Sequence, residues 1–504
     1  MAGGGGLRAE GHSYTCAMIA AAIAITCSAL ARGQGPASAP VVSPKADGYR
    51  GIWYHNQPQK DEYRYKYSGG LGTYCANHLP MAYYSPKAKK TFFVYGGATG
   101  VGKGAHFQAM VSYYDHSSGL VPKPTIVLEK PTDDAHHNPT LTLDEEGYVW
   151  VFVSAHGGKD GFVFRSRAPY SIDAFERIEQ REFTYPQPWY MEGFGFLFLF
   201  TKYTAGRELY CRTSRDGVAW SEDRKYVGFG GHYQVSCRFK NKIGTTFMYH
   251  PPVGGLNART NLYYMETADC GKTWRNAAGD LLDVPLNAVQ NKALVHDYES
   301  EGLLVYINDL NFDAQGNPVI LYVLSRGYES GPKNGPRTWT TAHWTGKDWD
   351  IRPVTSSDHN YDMGSLYIEP DGTWRIIGPT EPGPQPYCTG GDVAMWTSSD
   401  QGKTWKRVRR LTQNSPRNHS YVRRPVNAHP DFYAFWADGN ALEPSKSLLY
   451  FTNKTGDAVW VLPENMTAPF ARPLRLSAAP TGGGRTQARV QQQAKAREFL
   501  ERIL

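Results

Sequence analysis

The chain has 504 residues, of which 13% are aromatic, and it contains 52 glycines and 33 prolines. This composition indicates a β-rich globular protein and excludes a long helical architecture. The formal charge of +7 favours an acidic partner, without choosing among nucleic acid, anionic lipid and acidic polysaccharide. No segment has the pattern of a nucleic-acid-binding module, so we expect no nucleic-acid partner.

The N-terminal region has the layout of a secretory signal peptide. Residues 16–31 are a run of small and apolar residues that ends in Ala29-Leu30-Ala31, an A-x-A pattern before Arg32. The run is too short and too weakly apolar for a membrane span. We therefore predict a signal peptide over residues 1–31, a linker over 32–45, and a secreted or periplasmic protein with no membrane partner in its mature form.

Five cysteines lie beyond the predicted signal peptide and are widely spaced, without a CxxC pair: Cys75, Cys211, Cys237, Cys270 and Cys388. This pattern defines neither a zinc knuckle nor a disulfide framework. An exported chain allows one or two bridges among them, and at least one thiol is then left over or binds a metal.

A predicted hairpin in the first third of the chain carries three histidines. Two alternating apolar runs, 140–143 and 148–153, flank a turn at 144–147, as expected of a β-hairpin. His136 and His137 precede the first strand and His156 follows the second, so we expect these open ends to meet. Imidazoles titrate near neutral pH, and two at one rim indicate proton transfer. Loop histidines or a structural metal pair are the alternatives.

Short alternating strands continue along the rest of the chain, with Gly, Asn and Asp turns between them. The predicted strands include 91–95, 196–203, 244–249, 303–307, 319–324, 365–369 and 374–377. This spacing indicates a pair of sandwiches, a β-helix or a propeller.

A short repeat decides among these architectures. Residues 267–274 (TADCGKTW) and 398–405 (SSDQGKTW) share the pattern S/T-x-D-x-G-x-T-W, and residues 213–220 (TSRDGVAW) are a degraded third copy. In this Asp-box, or BNR, hairpin the aspartate caps its own turn, the glycine takes a positive φ, and the tryptophan packs between neighbouring sheets. The role is structural, so none of these aspartates is a catalytic candidate.

The repeats predict the fold class and the domain boundaries. At about 60 residues a blade, residues 46–470 hold about seven blades, so we predict an all-β, seven-bladed β-propeller with Asp-box hairpins. Residues 471–504 are predicted to be a C-terminal tail with at most a short amphipathic helix. A propeller of this size leaves a funnel at one face, where a binding site is expected.

His, Tyr and Arg side chains gather at the ends of the predicted strands, whereas paired carboxylates do not. Tyr190, Arg207 and Tyr249 lie at such ends, as do the clusters at 357–364 and 418–430. Cleavage next to a uronic acid by β-elimination needs a cation for the carboxylate, a base for the C5 proton and an acid for O4. Arginine suits the first task, and Tyr and His suit the others. A glycoside hydrolase would instead need two facing carboxylates.

Several segments resemble the BNR-repeat family that contains the ulvan lyases. The resemblance lies in DAHHNP with SAHG twenty residues on, in YTAGRELYCRTSRDG, in YHPP followed by RTNLYYMETADCGKTW, and in SDHNYDMGSLYIEPDGTWRIIGPTEPGPQP. It covers the chain from about Gly51 to Leu462. It implies a secreted seven-bladed propeller that cleaves rhamnose–uronate linkages in the sulfated polysaccharide of green algae.

The same resemblance implies roles for particular residues. His136 and His156 match the family's catalytic-site histidines, Tyr190 its catalytic tyrosine, Arg207 the carboxylate-neutralising arginine, and Tyr249 a further active-site tyrosine. We hypothesise that Tyr190 or His136 removes the C5 proton while the other donates to O4, with His156 assisting. We also expect His137, which stands where this family has Asn, and His359 to contact the substrate.

The predicted function is therefore that of a polysaccharide lyase acting on a uronate-containing anionic polysaccharide, of the sulfated ulvan type, to give unsaturated uronyl oligosaccharides. A sialidase-like hydrolase and a non-catalytic carbohydrate-binding propeller are the alternatives. We expect a monomer and no cofactor for the chemistry. The resemblance also allows a structural divalent metal, for which Cys211, Cys237, His232 and His250 are candidate ligands without a decisive spacing.

Overall fold

The computed structural model of the protein describes residues 42–102 and 104–476. The predicted signal peptide, most of the predicted linker and the predicted helix of the C-terminal tail lie outside the described residues. Within the described residues, no helix is both long and apolar enough to cross a membrane.

The described residues form a seven-bladed β-propeller, which confirms the predicted fold class. Each blade is an antiparallel sheet whose first strand is innermost and whose strands follow in chain order, as in the second blade, β8-β9-β10-β11. Three short 3-10 turns lie between described strands, at Ala135–His137, Gly255–Ala258 and Pro332–Asn334.

The strands before and within the first three blades are β1 (Trp53–Pro58), β2 (Tyr65–Gly70), β3 (Ala82–Ser85), β4 (Lys90–Ala98), β5 (Phe107–Asp115), β6 (Val121–Pro122), β7 (Thr125–Lys130), β8 (Pro139–Leu143), β9 (Val149–Val153), β10 (Gly161–Ser166), β11 (Phe175–Arg181), β12 (Thr184–Met191), β13 (Gly195–Tyr203), β14 (Arg207–Ser214) and β15 (Arg224–Val227). The fourth and fifth blades contain β16 (Gln234–Phe239), β17 (Lys242–Tyr249), β18 (Thr260–Thr267), β19 (Trp274–Arg275), β20 (Leu281–Leu282), β21 (Leu294–His296), β22 (Leu304–Phe312), β23 (Pro318–Ser325), β24 (Arg337–Trp344) and β25 (Trp349–Ser357). The last two contain β26 (Ser365–Ile368), β27 (Trp374–Glu381), β28 (Asp392–Ser398), β29 (Lys406–Arg410), β30 (Asn418–Arg423), β31 (Ala434–Gly439), β32 (Leu449–Thr452), β33 (Val459–Val461), β34 (Phe470–Ala471) and β35 (Leu474–Leu476). All the strands predicted from alternation overlap these.

The ring closes where the seventh blade meets the first. β34 pairs with β6, and Tyr83 forms a parallel bridge with Val426. β35 pairs with β33 and so adds a further strand to the seventh blade. The propeller therefore extends beyond the predicted boundary at residue 470, because two short strands that the alternation pattern is too brief to reveal complete its last sheets.

The Asp-box hairpins have the predicted internal bonding. In the best copy, Asp269 accepts hydrogen bonds from the Thr273 backbone N–H at 2.9 Å and from the Thr267 and Thr273 hydroxyls at 2.8 and 2.7 Å. Gly271 takes φ +77°, and Trp274 is buried and stacks on Tyr226 of the preceding blade at 4.9 Å. The predicted contact between neighbouring blades is confirmed for this copy.

Strand direction defines two faces of the ring. Inner strands begin, and second strands end, at what we call the cavity face. The hairpin turns between them lie at the opposite face. His136 and His156 are at the cavity end of β8 and β9, while Asp144 caps the turn between these strands at the opposite end by accepting from the Tyr148 N–H at 2.8 Å. The predicted hairpin is confirmed.

The five cysteines of the described region are buried free thiols. The bridges that an exported chain would allow are therefore not formed among them.

Replacing Asp269 by Ala should destabilise the protein by about 1–2 kcal/mol, because the carboxylate satisfies three donors of the turn. Urea unfolding would measure the loss. Lys272→Ala, which alters an exposed residue of the same turn, is the control. Equal unfolding midpoints for the two variants would contradict a structural role for the carboxylate.

Candidate active site

A cavity on the propeller axis collects side chains from six of the seven blades and from the segment before the first. Its wall includes the two predicted histidines and the predicted arginine. The residues that line it include Tyr67, Tyr74, His136, His156, Tyr185, Arg207, Tyr233, Arg259, Tyr306 and Tyr361.

One carboxylate holds both histidines of the cavity. Asp134 caps the 3-10 turn before β8 by accepting the His136 backbone N–H at 2.9 Å. Its Oδ1 lies 2.5 Å from Nδ1 of His136, and its Oδ2 lies 2.5 Å from Nδ1 of His156. The two imidazoles stack at 3.8 Å between centroids and 12° between planes. Each Nδ1–H therefore donates to Asp134, which leaves both Nε2 atoms as acceptors.

The backbone at His156 supports this arrangement. His156 has φ +43°, in the left-handed region that a β-strand does not use. The chain therefore turns at this residue, three residues beyond the end of β9, so that the imidazole lies over His136. A non-glycine residue in this conformation is uncommon and costs about 1 kcal/mol or more.

Charge and burial fix the protonation states. Burial acts to raise the pKa of Asp134, but the two imidazoles beside it hold that pKa well below its usual value. Burial lowers the pKa of His136 to about 4, although the nearby carboxylate acts to raise it. The dyad of His136 and Asp134 is thus a neutral imidazole and a carboxylate at neutral pH.

Two tyrosines share the inner nitrogen of His136. Tyr74 Oη lies 2.6 Å and Tyr67 Oη lies 3.1 Å from Nε2, and the two hydroxyls are 2.9 Å apart. Burial raises the pKa of both phenols well above the usual value, so both are protonated at neutral pH. The result is a connected chain of carboxylate, imidazole and phenol that ends at the cavity wall.

Two guanidinium groups supply positive charge to the cavity. Arg207, at the start of β14, donates from Nε to Tyr203 Oη at 3.3 Å. Arg259 is 4% exposed, donates to Leu256 O at 2.8 Å and to Tyr361 Oη at 3.0 Å, and stacks on Tyr306 at 4.6 Å. Neither is paired with a carboxylate of the described residues, whereas buried cations are normally paired.

Lys66 shows the same excess of positive charge from below the cavity wall. It is fully buried, and burial lowers the pKa of its ammonium to about 6, with Arg259 and Arg207 acting in the same direction. At neutral pH the amine is therefore largely uncharged, as expected for a buried lysine close to two guanidinium groups that no carboxylate of the described residues neutralises.

The structure brings His136, His156 and Arg207 together but not the other predicted residues. Tyr190 lies near the opposite end of β12, packs on Phe196 at 5.1 Å, and has its pKa raised to about 12, first by burial and then by Glu145. Glu145 belongs to the hairpin turn of the second blade, at the face away from the cavity. The prediction that Tyr190 is at the site is therefore corrected: on this strand Tyr185 reaches the cavity.

The remaining three residues are buried beside the site rather than in its wall. Tyr249 packs outward on Phe229 at 5.7 Å. His137 faces away from His136, with Nδ1 2.9 Å from both Lys130 Nζ and Ser154 O. His359 lies 3.0 Å from the Ser330 hydroxyl and accepts the Tyr361 N–H. Substrate contact by Tyr249, His137 or His359 is thus not supported by their positions.

The candidate metal ligands named from the sequence do not form one group. Cys211 accepts from Arg224 at 3.9 Å and Cys237 from Arg424 at 3.7 Å, while His232 Nδ1 is 3.0 Å from Met248 O. Among the described residues, two other groups of three have ligand atoms within 4.8 Å of each other. One is Asp134 with His136 and His156, and the other lies at the opposite face.

Sequence reasoning missed Asp134, Tyr74 and Arg259. Asp134 had a readable signal, because an aspartate just before a short helical turn is an N-cap and so points back at the residue that follows. Tyr74 and Arg259 had no local signal, since their positions depend on which loops converge on the axis.

Comparison with known proteins places the chain in a family. A family model described as "BNR repeat-containing family member" matches residues 88–357. The chain belongs to this BNR repeat-containing family. Curated relatives of this BNR-repeat protein include an ulvan lyase of Nonlabens ulvanivorans, 24% identical over 59% of this chain and 69% of the relative. Another is an ulvan lyase of Alteromonas sp. (strain LOR), 22% identical over 64% of this chain and 73% of the relative.

Solved structures share the fold. A PL25 ulvan lyase, also solved bound to -[GlcA(1-4)Rha3S]-, matches with a TM-score of 0.63 and 16% identity over 87% of this BNR-repeat protein and 100% of that chain. The polysaccharide lyase Uly1 matches with a TM-score of 0.55 and 12% identity, over 82% of this chain and 99% of the Uly1 chain. These likenesses confirm the propeller.

The buried histidines around the cavity should make the protein acid-sensitive. The pKa values of His136 and His137 are lowered to about 4, first by burial. Between about pH 6.5 and 4 the unfolded chain therefore binds protons that the folded chain does not. The free energy of unfolding should fall as pH decreases through this window, by up to about 1.4 kcal/mol per pH unit for each such group. Urea titrations at pH 7, 6 and 5 would measure it, with His137→Gln as a variant whose slope is reduced. Equal stability at pH 7 and 5 would contradict the burial of neutral imidazoles.

Proposed function

We propose that this BNR-repeat propeller is a polysaccharide lyase that cleaves a uronate-containing anionic polysaccharide by β-elimination. The observation that carries the proposal is the cavity itself. Two guanidinium groups without acidic partners face the same space as an imidazole and a phenol organised by one carboxylate. These are the groups that elimination next to a carboxylate requires.

Arg207 is the group that binds the uronate carboxylate. It reaches the cavity from the rim and hydrogen-bonds Tyr203 through Nε, so its two terminal nitrogens are placed to bind a carboxylate in bidentate fashion. Pairing withdraws charge from the carboxylate and stabilises the negative charge that develops when C5 loses its proton. Arg259, deeper in the wall, adds positive potential and is held rigid by its aromatic neighbours.

His156 is the base in this mechanism. Its imidazole is 26% exposed, and its Nδ1–H donates to Asp134, so its Nε2 lone pair can accept the C5 proton. Asp134 then stabilises the imidazolium that forms, as a carboxylate does behind a catalytic histidine. This revises the hypothesis that His136 or Tyr190 is the base, since His136 Nε2 already faces Tyr74 and Tyr67.

Tyr74 is the acid. As the C5–H bond breaks, the electron pair forms the C4–C5 double bond, the C4–O4 bond breaks, and O4 takes the phenolic proton of Tyr74. His136 Nε2 accepts from that hydroxyl and holds it in place, and the Tyr67 hydroxyl, 2.9 Å away, donates to the phenolate that forms. The proton on His156 returns to Tyr74 after the products leave, which restores both groups.

The lining argues against hydrolysis. Among the described residues that form the cavity wall there is no Asp or Glu, and Asp134 behind it is occupied by two imidazoles. A retaining or inverting glycosidase needs two carboxyl groups across the bond. A sialidase-like reaction therefore has no nucleophile pair here, and simple carbohydrate binding would not explain the dyad.

The relatives support the choice of substrate. Two curated relatives, each matched over more than two thirds of its own length, are ulvan lyases. The proposed substrate is therefore a sulfated, ulvan-type polysaccharide, and the proposed products are unsaturated uronyl oligosaccharides. The formal net charge of +7 suits a polyanionic substrate of this kind. We further propose that the protein acts outside the cytoplasm after cleavage before Arg32, which N-terminal sequencing of the exported protein would test.

Replacing Arg207 by Gln should lower kcat/KM on ulvan by about 100-fold or more, because the carboxylate loses its countercharge. The rise in ultraviolet absorbance from unsaturated uronate measures the rate. Arg215→Gln, which alters an exposed arginine at the opposite face, is the control. Full activity of Arg207→Gln would refute the proposed site.

Replacing Tyr74 by Phe should lower kcat by about 100-fold or more, whereas Tyr190→Phe should leave it unchanged. The first removes the proposed acid, and the second alters a phenol away from the cavity. The same absorbance assay compares the two variants. If Tyr190→Phe were inactive and Tyr74→Phe active, the roles assigned from the structure would be wrong.

A further inference from the structure

A second group of metal-type ligands lies where the first and seventh blades meet. It consists of His116, His429 and Asp431, which we call the junction cluster. His116 follows the end of β5 in the first blade, and the other two lie in the hairpin between β30 and β31 of the seventh. Both positions are at the face opposite the cavity, so the cluster is separate from the proposed active site.

The cluster has the spacing of an unfilled cation site. Asp431 Oδ2 is 4.0 Å from His116 Nδ1 and 3.7 Å from His429 Nδ1. His429 Nδ1 also accepts the Asp431 backbone N–H at 3.2 Å, a hydrogen bond that a cation on this nitrogen would replace. Ligands about 2.1 Å from a tetrahedral Zn²⁺ lie about 3.4 Å from one another. Asp431 Oδ2 therefore needs to approach the two nitrogens by about 0.6 and 0.3 Å, and the Asp431 side chain, which is 62% exposed, has room to move. All three ligand atoms lie within 4.8 Å of one another.

One ligand atom is already buried and directed into the cluster without a partner. The His116 side chain is 5% exposed, and its Nδ1 has no hydrogen-bond partner among the described residues. Its other nitrogen, Nε2, lies 2.8 Å from the Thr91 hydroxyl. Donation from Nε2–H to Thr91 leaves a lone pair on Nδ1, which is the arrangement that prepares a histidine for a metal.

The surroundings favour a cation over a plain contact between imidazoles. The rings of His116 and His429 are 3.8 Å apart, and Tyr84 packs on both, at 5.1 and 4.7 Å. Burying an unpaired polar nitrogen in such an aromatic wall costs free energy unless a ligand satisfies it. A cation bound to both rings and to Asp431 would do so.

We propose that His116, His429 and Asp431 bind one divalent first-row cation, Zn²⁺ being the best fit, and that this cation fastens the seventh blade to the first. Two imidazoles and one carboxylate, with water in the fourth position, form a ligand set that proteins use to bind Zn²⁺. Since the ligands come from the two ends of the propeller, binding stabilises the closed ring and not the unfolded chain.

The test compares metal binding and thermal stability in the full-length protein. After treatment with a chelator and dialysis, Zn²⁺ should bind with a stoichiometry of one ion at this site and raise the Tm by roughly 2–5 °C at saturating concentration. His429→Gln and Asp431→Asn should lose both the ion and the shift, while their metal-free Tm stays close to that of the wild type. Elemental analysis and circular dichroism provide the readouts.

Two control variants separate this site from others. Asp371→Asn alters an exposed carboxylate in the corresponding hairpin of the sixth blade and should keep the ion and the shift. His156→Gln removes a ligand from the only other such group in the described chain and should also keep them. A Zn²⁺ shift that persists in Asp431→Asn and His429→Gln, that disappears in His156→Gln, or that is absent from the wild type would overturn the proposal.

Discussion

The candidate site depends on one carboxylate that binds two imidazoles. Asp134 gives one oxygen to His136 and the other to His156, so it fixes the tautomer and orientation of both rings. Two stacked imidazoles would repel if both were protonated, and the carboxylate between their Nδ1 atoms offsets that repulsion. The same residue caps the turn that leads into β8. The same aspartate thus stabilises the local fold of the hairpin and orients the two histidines of the site.

The second feature of the candidate site is positive charge without an acidic partner among the described residues. Elsewhere in the propeller, the part-buried Arg424 and Arg417 pair with Asp309 and Asp438, whereas the buried Arg337 and Arg423 donate to backbone carbonyl oxygens. Arg207 and Arg259 are instead surrounded by tyrosines, which stabilise a guanidinium through their ring faces but do not neutralise it. The cavity therefore keeps a positive charge that an anion from solvent would neutralise, which supports the proposed binding of a carboxylate over the binding of a neutral sugar.

Much of the fold was predictable because its signals are local. The Asp-box turns, the alternating strands and the histidine hairpin each lie within a short stretch of sequence, and all are confirmed. Tyr190 failed for a geometric reason. An inner strand begins at the cavity, and each residue advances the chain by about 3.3 Å. Tyr190, five residues after Tyr185, therefore lies near the end of β12 that is farthest from the cavity. Tyr185 itself takes φ +53° next to an irregularity in the pairing of β12 with β13, which no alternation pattern reveals.

The site residues that could not be predicted from the sequence are those that the closure of the ring brings together from distant segments of the chain. Tyr74 precedes the first blade, Tyr233 and Arg259 belong to the fourth, and Tyr361 leads into the sixth. These side chains meet because the ring closes. An error in closure would move these side chains relative to His136 even if every blade were intact. The pairing of β34 with β6 therefore matters to the chemistry as well as to stability. Because closely packed interiors transmit small displacements, contacts between the first and seventh blades at one face help to hold the geometry of the cavity at the other.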